Sequence, residues 1–313
     1  MSRAYNIIFS SLLVVILWLL TTSAGVQSSG QRVDIGGYSL SIRCQGRGSP
    51  TVLLDAGLGG TAIDWTRVQS DLARNTQVCA YDRAGYGDSD PGPAPRSSSR
   101  IAAELRTLLE RARIRPPYLL VGHSFGGYNM RLFASLYPQD TVGLVLVDTP
   151  NEGQIDSILP GQLLGQLDSK ELLSQFWRPD WLAHLSAKDL ESIAPLFGMP
   201  AKALHAIVGE LAAFNDSGNE VRAATLPVDL PLVIIMHGQR ILPAGVWGDK
   251  IEQQWLDLQR QLAARQNHST VIIARESGHN IPFDQPEVIV AAVRKLLAGN
   301  PDKHCSSKAK DED

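Results

Sequence analysis

The sequence lacks the features that mark several large classes of protein. Its 313 residues contain no run of Lys or Arg longer than a pair, and the formal net charge is −3 at pH 7. Nucleic-acid-binding proteins need a basic patch or stripe, so no nucleic-acid partner is expected. The chain has no His-x-x-x-His pair, no cysteine pair at metal-ligand spacing and no Gly-Lys-Ser/Thr sequence. We therefore predict neither a metal nor an organic cofactor.

Charged residues are also few, at 19% of the chain, whereas 44% of the residues are hydrophobic. Disordered chains have the opposite balance, so most of this chain is expected to fold around a large core. Low-complexity sequence is limited to a serine-rich loop at residues 97–99 and to the C-terminus. Residues 299–313 are rich in charge and are predicted to form a disordered tail.

The first 24 residues differ in character from the rest. Arg3 is followed by the apolar stretch Ile7–Leu20 and then by the small residues Thr22, Ser23 and Ala24. This order is typical of a secretory signal peptide that is cut near Ala24. The alternative is an uncleaved membrane anchor, although a spanning helix needs roughly 20 apolar residues. Both readings predict an exported protein, secreted or periplasmic, that contacts a membrane only through this segment if it is not cut.

The order of the apolar segments predicts an α/β fold. Short aliphatic or β-branched segments bounded by turn residues predict strands, and amphipathic patterns between them predict helices. The predicted strands span residues 51–55, 76–81, 118–121, 143–147, 231–236 and 270–274, and the clearest helices span residues 101–113, 126–137 and 286–297. Strands that alternate with helices favour a mostly parallel sheet with helices on both faces.

The stretch from residue 152 to residue 226 interrupts this alternation. It contains helix-like segments and several prolines but no convincing strand. Connections this long inside a domain are usually functional lids or insertions. We therefore predict a helical cap at residues 152–226, inserted between two parts of one core domain at residues 31–151 and 227–298.

A Gly-x-Ser-x-Gly sequence, Gly122-His123-Ser124-Phe125-Gly126, lies between a predicted strand and a predicted helix. The two glycines allow the strand and the helix to pass closely, and the sharp turn lifts the Ser124 hydroxyl above the sheet edge. The amide of Phe125 points from the helix N-terminus toward the same place, where it stabilises a developing negative charge. Ser124 is therefore a candidate nucleophile, and the alternative is an ordinary glycine-rich turn.

A serine hydroxyl is a weak nucleophile at neutral pH and needs a base within hydrogen-bonding distance. His279 is the best candidate, because it follows the last predicted strand in a glycine-containing loop, at the sheet edge that also displays Ser124. His123 is expected to point away from Ser124 in such a turn. The alternative reading of His279 is a solvated loop histidine.

At this point the chain resembles the α/β-hydrolase superfamily, in particular its lid-bearing serine hydrolases and esterases. The resemblance covers residues 31–298 and rests on four blocks in the family's order: Leu53-Leu54-Asp55-Ala56-Gly57-Leu58-Gly59-Gly60, with Ala56 where the family usually has His; Asp82-Arg83-Ala84-Gly85-Tyr86-Gly87-Asp88-Ser89; the sequence around Ser124; and Ser277-Gly278-His279-Asn280-Ile281-Pro282. It implies an α/β-hydrolase fold with an inserted helical cap. We interpret the second block as a structural turn without a catalytic role.

The resemblance also implies further site residues. The first block is expected to bring the amide of Leu58 opposite that of Phe125, which forms a two-donor oxyanion hole. The strands that carry Cys44 and Cys79 are neighbours in the family's sheet, so a disulfide between these two residues is expected in an exported protein. The third cysteine, Cys305, lies in the charged tail.

The acid of the catalytic triad is the residue that the sequence leaves most open. The family usually places it a few residues after a glycine that follows the strand at 231–236, but Gly238 is followed here by Gln-Arg-Ile-Leu-Pro. We prefer Asp148, because a residue that ends the strand at 143–147 is held rigidly near the base. Asp249 is the alternative. Each also has a non-catalytic explanation, a turn residue for Asp148 and a helix N-cap for Asp249.

These residues predict a serine hydrolase that cleaves a small apolar ester through an acyl-enzyme. Apolar cap residues that line either an acyl pocket or the core of the cap are Leu190, Ile193, Leu196, Phe197, Met199, Leu204, Ile207, Val208 and Leu211. Family members that open epoxides or carbon–halogen bonds use Asp as the nucleophile, so Ser124 argues against those reactions. Two alternatives stay open: an acyltransferase or lyase that uses the same triad, and a non-catalytic binding protein of the same fold.

Overall fold

The computed structural model describes residues 30–153, 186–194, 198–242 and 244–299. The predicted signal peptide, the tail beyond Gly299 and much of the predicted cap, including Leu196 and Phe197, lie outside these residues. The strands are β1 Gln31–Asp34, β2 Ser39–Gln45, β3 Thr51–Asp55, β4 Val78–Asp82, β5 Tyr118–His123, β6 Thr141–Val147, β7 Leu232–His237 and β8 Ser269–Ala274. The helices are α1 Thr66–Leu72, α2 Ser98–Arg111, α3 Phe125–Leu136, α4 Ala187–Ile193, α5 Ala201–Ala212, α6 Phe214–Ala223, α7 Val246–Ala263, α8 Ile281–Asp284 and α9 Pro286–Ala298.

The described strands form one sheet in the order β1-β2-β4-β3-β5-β6-β7-β8. β2 pairs antiparallel with both β1 and β4, and all the other neighbours are parallel. The carboxyl ends of β5, β6, β7 and β8 therefore share one edge of the sheet, which is where sites of open parallel sheets lie. The predicted fold class, α/β with a mostly parallel sheet, is confirmed.

The two faces of the sheet pack into two separate hydrophobic cores. In β6, Leu144 and Leu146 pack into the core that also contains side chains of α2, α3 and α7. Val145 and Val147 pack into the opposite core, together with side chains of α1 and α9. Because both faces are covered, the central strands are continuous apolar runs, and this is why the sequence predicts them well.

Two elements show where the sequence prediction is incomplete. β1 is not predicted, because it has four residues and only Val33 among them is buried. α7 begins at Val246, three residues before Asp249, which the sequence suggests as a helix N-cap. Gly245 precedes this helix with φ 139°, a backbone conformation that favours glycine and turns the chain into the helix. In both places polar or turn residues interrupt the apolar pattern from which strands and helices are predicted.

A disulfide joins Cys44 of β2 to Cys79 of β4, as the family resemblance implies. The two residues are direct cross-strand partners in the antiparallel pair, with Cα atoms 4.1 Å apart. The bond closes a loop with a sequence separation of 35 residues. In the chain-entropy model, a loop of this length stabilises the folded protein by about 4 kcal/mol.

The segment between β6 and β7 contributes helices α4, α5 and α6 and no strand among its described residues. Leu190, Leu204 and Ala194 form a small core between α4 and α5, with Met199 and Val208 packed against it. These apolar side chains of the predicted cap therefore stabilise the cap itself. Among the residues that the structure describes, no helix is long and apolar enough to cross a membrane.

Candidate active site

Ser124 occupies a strained turn between β5 and α3. Its backbone has φ 50° and ψ −125°, in the left-handed half of the map where residues other than glycine are uncommon. The amide of Ser124 donates to the carbonyl of Val147, and the Ser124 carbonyl accepts from the amide of Gly127. Strain of this kind persists only where the surroundings enforce it, and it is concentrated at functional sites.

The glycines on either side of Ser124 are required by close contacts. A Cβ atom on Gly122 would lie 2.5 Å from the carbonyl oxygen of Gly126, and one on Gly126 would lie 2.4 Å from the carbonyl oxygen of Asp55. These obstacles are backbone atoms, which cannot rotate away. The strand and the helix therefore approach each other as the Gly-x-Ser-x-Gly sequence predicts.

The structure brings His279 and Asp148 together at the edge of the sheet where Ser124 lies. Nδ1 of His279 is 2.6 Å from Oδ2 of Asp148, although the two residues are 131 positions apart in sequence. Asp148 follows β6 with φ 44°, and its amide donates to the carbonyl of Ile235 in β7. The Asp148 carboxylate has no exposed surface, whereas the His279 side chain is 16% exposed.

The second oxygen of Asp148, Oδ1, accepts hydrogen bonds from three further side chains. The donors are Nδ1 of His237 at 2.8 Å, Nε1 of Trp255 at 3.1 Å and Nε2 of Gln259 at 3.1 Å. Burial alone raises the pKa of Asp148, but its hydrogen bonds with His237 and His279 hold the pKa well below its ordinary value. Asp148 is therefore a rigid, ionised carboxylate, and the reading of it as a simple turn residue does not account for these partners.

His237, the last residue of β7, has a carboxylate at each ring nitrogen. Nδ1 faces Asp148, and Nε2 is 2.9 Å from Oε1 of Glu252 on α7. Burial lowers the pKa of His237, but its hydrogen bond with Asp148 and the charges of both carboxylates raise it above the ordinary value. The sequence analysis did not identify His237 or Glu252 as site residues.

His123 lies beside His279 and supports the loop that carries it. The two rings are 4.9 Å apart between centroids, and Nε2 of His123 is 2.8 Å from the backbone carbonyl oxygen of His279. A carbonyl oxygen only accepts, so Nε2 of His123 is the donor. Burial and, after it, the neighbouring His279 lower the pKa of His123 to about 3, so this ring is neutral.

The loop after β3 passes close to Ser124 at Gly57. A Cβ atom on Gly57 would lie 3.2 Å from Cβ of Ser124. The guanidinium of Arg83 donates to two carbonyls of this loop, that of Ala56 at 2.6 Å and that of Gly57 at 2.8 Å. The next residue, Leu58, is partly exposed. Arg83 therefore fixes the backbone immediately before the amide of Leu58.

Arg83 is itself held between two buried carboxylates. It pairs with Asp55 at 2.6 Å and with Glu210 of α5 at 2.7 Å, and all three side chains are at most 2% exposed. Tyr86 donates its hydroxyl to the same Glu210 carboxylate at 2.9 Å. Burial lowers the pKa of Arg83, but Glu210 and Asp55 raise it well above the ordinary value, so Arg83 remains charged. This cluster joins the predicted cap to the loop beside Ser124.

The block from Asp82 to Ser89 has the structural role that the sequence predicts. The Asp82 carboxylate accepts from the amides of Ala62 at 2.8 Å and Asp88 at 3.1 Å. Ser89 donates its hydroxyl to the Asp82 carbonyl and accepts from the amide of Ser41. These bonds tie the turn to its neighbours and place Arg83 in its buried position.

Asp249 has a different position from the one expected for a helix cap. α7 is preceded by Gly245 as its N-cap, so Asp249 lies inside the first turn and the N-cap explanation is wrong. Its carboxylate forms an ion pair with Arg240, and its side chain is 59% exposed. A negative charge in the first turn is favourable because it opposes the positive end of the helix dipole. Asp148, and not this exposed group, is the carboxylate bonded to His279.

Within the described part of the chain, no group of three or more His, Cys, Asp or Glu residues is arranged to hold a metal ion. Three site residues that the sequence analysis missed do share a readable pattern. Glu252, Trp255 and Gln259 lie at i, i+3 and i+7, which places them on one face of α7. All three contact either Asp148 or His237.

Comparison with known proteins gives consistent results. A model of the alpha/beta hydrolase family matches residues 52–292. The chain is 26% identical over 252 residues to YqjL, an uncharacterized protein of Bacillus subtilis (strain 168), and the match covers 80% of this chain and 84% of that protein. Its fold is similar to that of the epoxide hydrolase CorEH, with a TM-score of 0.62, 20% identity, and coverage of 87% of this chain and 99% of the other.

A thermophilic esterase from Thermogutta terrifontis has a similar fold as well. The TM-score is 0.61 at 19% identity, and the match covers 87% of this chain and 99% of the esterase. At such identities the solved structures support the fold alone. They include proteins named for different reactions, so the chemistry must be argued from the side chains of this chain.

Proposed function

The chain belongs to the alpha/beta hydrolase family, and from this premise we propose that it is a serine hydrolase that cleaves a carboxylic ester through an acyl-enzyme. The observation that carries the proposal is the 2.6 Å contact between Nδ1 of His279 and Oδ2 of Asp148. This pair lies at the carboxyl edge of the sheet, where the strained backbone of Ser124 also lies. In such a site the serine is the nucleophile, the histidine is its general base, and the buried carboxylate supports the histidine.

The proposed reaction has two halves. Oγ of Ser124 attacks the ester carbonyl while Nε2 of His279 accepts the hydroxyl proton, and the same proton then passes to the leaving alcohol. Water attacks the acyl-enzyme in the second half, gives one proton to His279, and releases the carboxylic acid as that proton returns to Ser124. Asp148 accepts from Nδ1–H of His279, which leaves Nε2 free of hydrogen and directed to its role as base.

The tetrahedral oxyanion is assigned to the amides of Leu58 and Phe125. Phe125 is the first residue of α3, so its amide has no acceptor within the helix. The Leu58 amide follows the carbonyls that Arg83 holds in place. Losing one donor of such a pair costs about 3 to 4 kcal/mol of transition-state stabilisation. Backbone donors cannot be removed by changing their own side chains, so the Leu58 donor is tested through Arg83.

The proposed substrate is a small apolar ester with a short or medium acyl chain. Two apolar side chains support this proposal. Leu58 is 37% exposed at the loop beside Ser124, and Cδ1 of Ile207 would lie 3.5 Å from a Cβ atom on Gly59. Apolar surface exposed next to a nucleophile favours substrates without charge near the reacting bond. Ser124 favours ester cleavage over epoxide opening, for which an Asp nucleophile is expected.

The domain organisation and the location of the protein are part of the same proposal. We infer an exported enzyme with a core at residues 31–151 and 227–298 and a helical cap at residues 152–226. The disulfide between Cys44 and Cys79 supports export, because disulfides persist mainly outside the cytosol. The helices described between β6 and β7 are consistent with the cap.

A fluorophosphonate probe tests the proposal directly, because it reacts only with an activated serine. We expect wild-type protein to be labelled on Ser124 and the Ser124→Ala variant to remain unlabelled. Ser70→Ala, which removes an exposed hydroxyl from α1, is the matched control and should be labelled like the wild type. Folded wild-type protein that is not labelled while a control hydrolase is labelled would favour a non-catalytic binding protein.

A panel of nitrophenyl esters of increasing acyl length then tests the substrate class. We expect the highest kcat/KM with short or medium chains and no turnover by Ser124→Ala. The same panel with an added alcohol separates hydrolysis from acyl transfer, since an acyltransferase would form a new ester instead of the free acid. Activity confined to charged or peptide substrates would contradict the proposed substrate class.

A further inference from the structure

The environment of His237 contains more acceptors than a neutral histidine can satisfy. Its side chain is 1% exposed, with Asp148 Oδ1 2.8 Å from Nδ1 and Glu252 Oε1 2.9 Å from Nε2. A neutral imidazole carries one N–H, so one of its nitrogens is an acceptor. That nitrogen would then face a carboxylate oxygen, which is also an acceptor, in a buried site where repulsion is weakly screened. An imidazolium donates at both nitrogens and satisfies both contacts.

The same geometry explains why the Asp148 carboxylate has one fixed orientation. Its Oδ1 atom receives the donors from His237, Trp255 and Gln259, whereas its Oδ2 atom faces Nδ1 of His279. These three side-chain donors, with the backbone amide of His237 at 3.4 Å, occupy one oxygen and leave the other as the acceptor for the base. Among these three donors, His237 is the one that carries a full charge, and Glu252 holds it in place from the far side.

We propose that His237 is a positioning residue of the catalytic acid, held as an imidazolium between Asp148 and Glu252, and that it sets both the orientation of Asp148 and the net charge that His279 experiences. The inference rests on the proposed serine-hydrolase function. His237 is not a catalytic residue, because it acts on the reaction through Asp148.

The charges around the base can be counted. Asp148 and Glu252 contribute −2 and His237 contributes +1, so the group has a net charge of −1. Among the residues that the structure describes, His123 also contacts His279, and its ring is neutral. Arg240 and Asp249 lie nearby in sequence, but they pair with each other and their side chains are 39% and 59% exposed, so solvent screens their charges.

Replacing His237 changes this count in a defined way. Asn in a His237→Asn variant has an amide nitrogen at about the position of Nδ1 and can still donate to Asp148, but it has no charge. The net charge near His279 then falls from −1 to −2, which stabilises the protonated base. We expect the acid limb of the kcat/KM profile to move to higher pH by about one unit.

The double variant His237→Asn/Glu252→Gln provides the decisive comparison. It removes both charges that the proposal assigns to the pair, so the net charge returns to −1. Its acid limb is therefore expected to return to the wild-type position, although two buried groups have changed. If His237 were only a packing residue, both variants would lose activity, and the acid limb would not shift to higher pH in the single variant and return in the double variant. Superimposable limbs in wild type and His237→Asn would overturn the proposal.

Asp257→Asn is the matched control. It removes one negative charge from the same helix, α7, at a side chain that is 48% exposed and paired with Arg260. Exposed charges are screened by solvent, so the acid limb should stay in place. Circular dichroism and thermal unfolding of every variant verify that the compared proteins are folded.

A second measurement needs no turnover and separates this inference from the proposed function. Nitrogen NMR of protein labelled with ¹⁵N-histidine distinguishes a ring with two N–H groups from a neutral ring, and the His237 signal is the one that disappears in His237→Asn. We expect both ring nitrogens of His237 to be protonated at pH 7.5. A neutral ring would overturn this inference and leave the serine-hydrolase proposal intact. A protonated ring in a protein that fluorophosphonate does not label would support this inference alone.

Discussion

Two buried clusters flank Ser124, and each holds a cation between two carboxylates. On the side of the loop after β3, the proposed oxyanion loop, the cation is Arg83, between Asp55 and Glu210. On the side of the acid it is His237, between Asp148 and Glu252. The Arg83 cluster positions backbone carbonyls, whereas the His237 cluster positions a side chain.

The difference between the two cations is their ability to lose a proton. A guanidinium remains charged at any pH at which a protein is folded, but an imidazolium can deprotonate. The Arg83 cluster is therefore expected to act identically across the working pH range. The His237 cluster makes the acid side of the site sensitive to pH. The contributions of the two clusters to activity can thus be distinguished by how each depends on pH.

The largest effect is expected from the carboxylate of Asp148, the residue that follows β6. Asn in an Asp148→Asn variant cannot stabilise the imidazolium of His279 and does not enforce the required tautomer. We expect kcat to fall by roughly 10⁴ with the fold intact. Steady-state kinetics with a nitrophenyl ester measures this loss.

Asp249→Asn is the control for that experiment, because it removes a carboxylate from the first turn of α7 at an exposed position. Its kcat should remain close to that of the wild type. Full activity in Asp148→Asn, or a loss confined to Asp249→Asn, would reverse the assignment of the acid.

The next largest effect is expected from Arg83→Lys on the opposite side. Lys keeps the charge but lacks the planar fork that reaches both the Ala56 and the Gly57 carbonyls. The oxyanion loop should lose its fixed position, and kcat should fall by about 10². Because neither the native guanidinium nor its role in holding these carbonyls depends on a change of protonation, the pH profile should drop uniformly without a change of shape.

Arg106→Lys is the matched control for Arg83→Lys. Arg106 also pairs with two carboxylates, Glu110 and Asp140, but it lies on α2 and is 29% exposed. Its replacement should leave kcat unchanged. A change in the shape of the pH profile in Arg83→Lys, or an equal loss in Arg106→Lys, would contradict the role given to Arg83.

A third experiment compares the stability of the two clusters. Glu210→Gln leaves Arg83 with a buried charge that it cannot lose, and breaking a buried pair in this way costs about 3 to 5 kcal/mol. Glu252→Gln should cost less, because His237 can release its proton. Urea unfolding of both variants measures the difference, and equal losses would show that the two clusters are equivalent in energy.

The loss of stability caused by Glu252→Gln should change with pH in one direction. The pKa of His237 is raised in the folded protein, so its stabilising effect is complete below about pH 6.5 and is lost as the pH rises through the raised value. The destabilisation by Glu252→Gln should therefore shrink as the pH rises. The destabilisation by Glu210→Gln should not change over the same range.

The smallest effect concerns His123, the neutral histidine beside the base. Its pKa is about 3 in the folded protein and about 6.5 in an unfolded chain, so the unfolded state binds the proton first as the pH falls. Wild-type stability should decrease below pH 6.5 by up to about 1.4 kcal/mol per pH unit. His123→Gln should remove this slope in urea unfolding between pH 6.5 and 5. An unchanged slope in His123→Gln would show that other groups cause this pH dependence of stability.

The sequence predicts the fold because the central strands are buried on both faces. β5 and β6 are nearly continuous runs of aliphatic residues and need no knowledge of their neighbours to be recognised. β1 has only one buried residue, so its existence depends on pairing with β2. Ser124 and His279 can be proposed as site residues from the sequence for a similar reason, since each lies in a local motif.

The two cation clusters are not predictable from local motifs. Arg83 and Glu210 are 127 positions apart, and His237 and Asp148 are 89 positions apart. Only the sheet order and the packing of α5 and α7 bring these residues together. Asp148 could be preferred over Asp249 because a strand end is rigid, but the histidine that supports it depends on the adjacency of β6 and β7.

The disulfide between Cys44 and Cys79 has a consequence for how this molecule opens. β1 and β2 form a hairpin at the edge of the sheet, and such edges fray and exchange their amide hydrogens before the centre does. The covalent bond joins this hairpin to β4, four residues before Arg83. Fraying of the edge is thereby coupled to β4, the strand that leads to Arg83. In reducing solution we expect the hairpin to open more independently of β4, and its release would expose the edge of β4 to pairing with another chain.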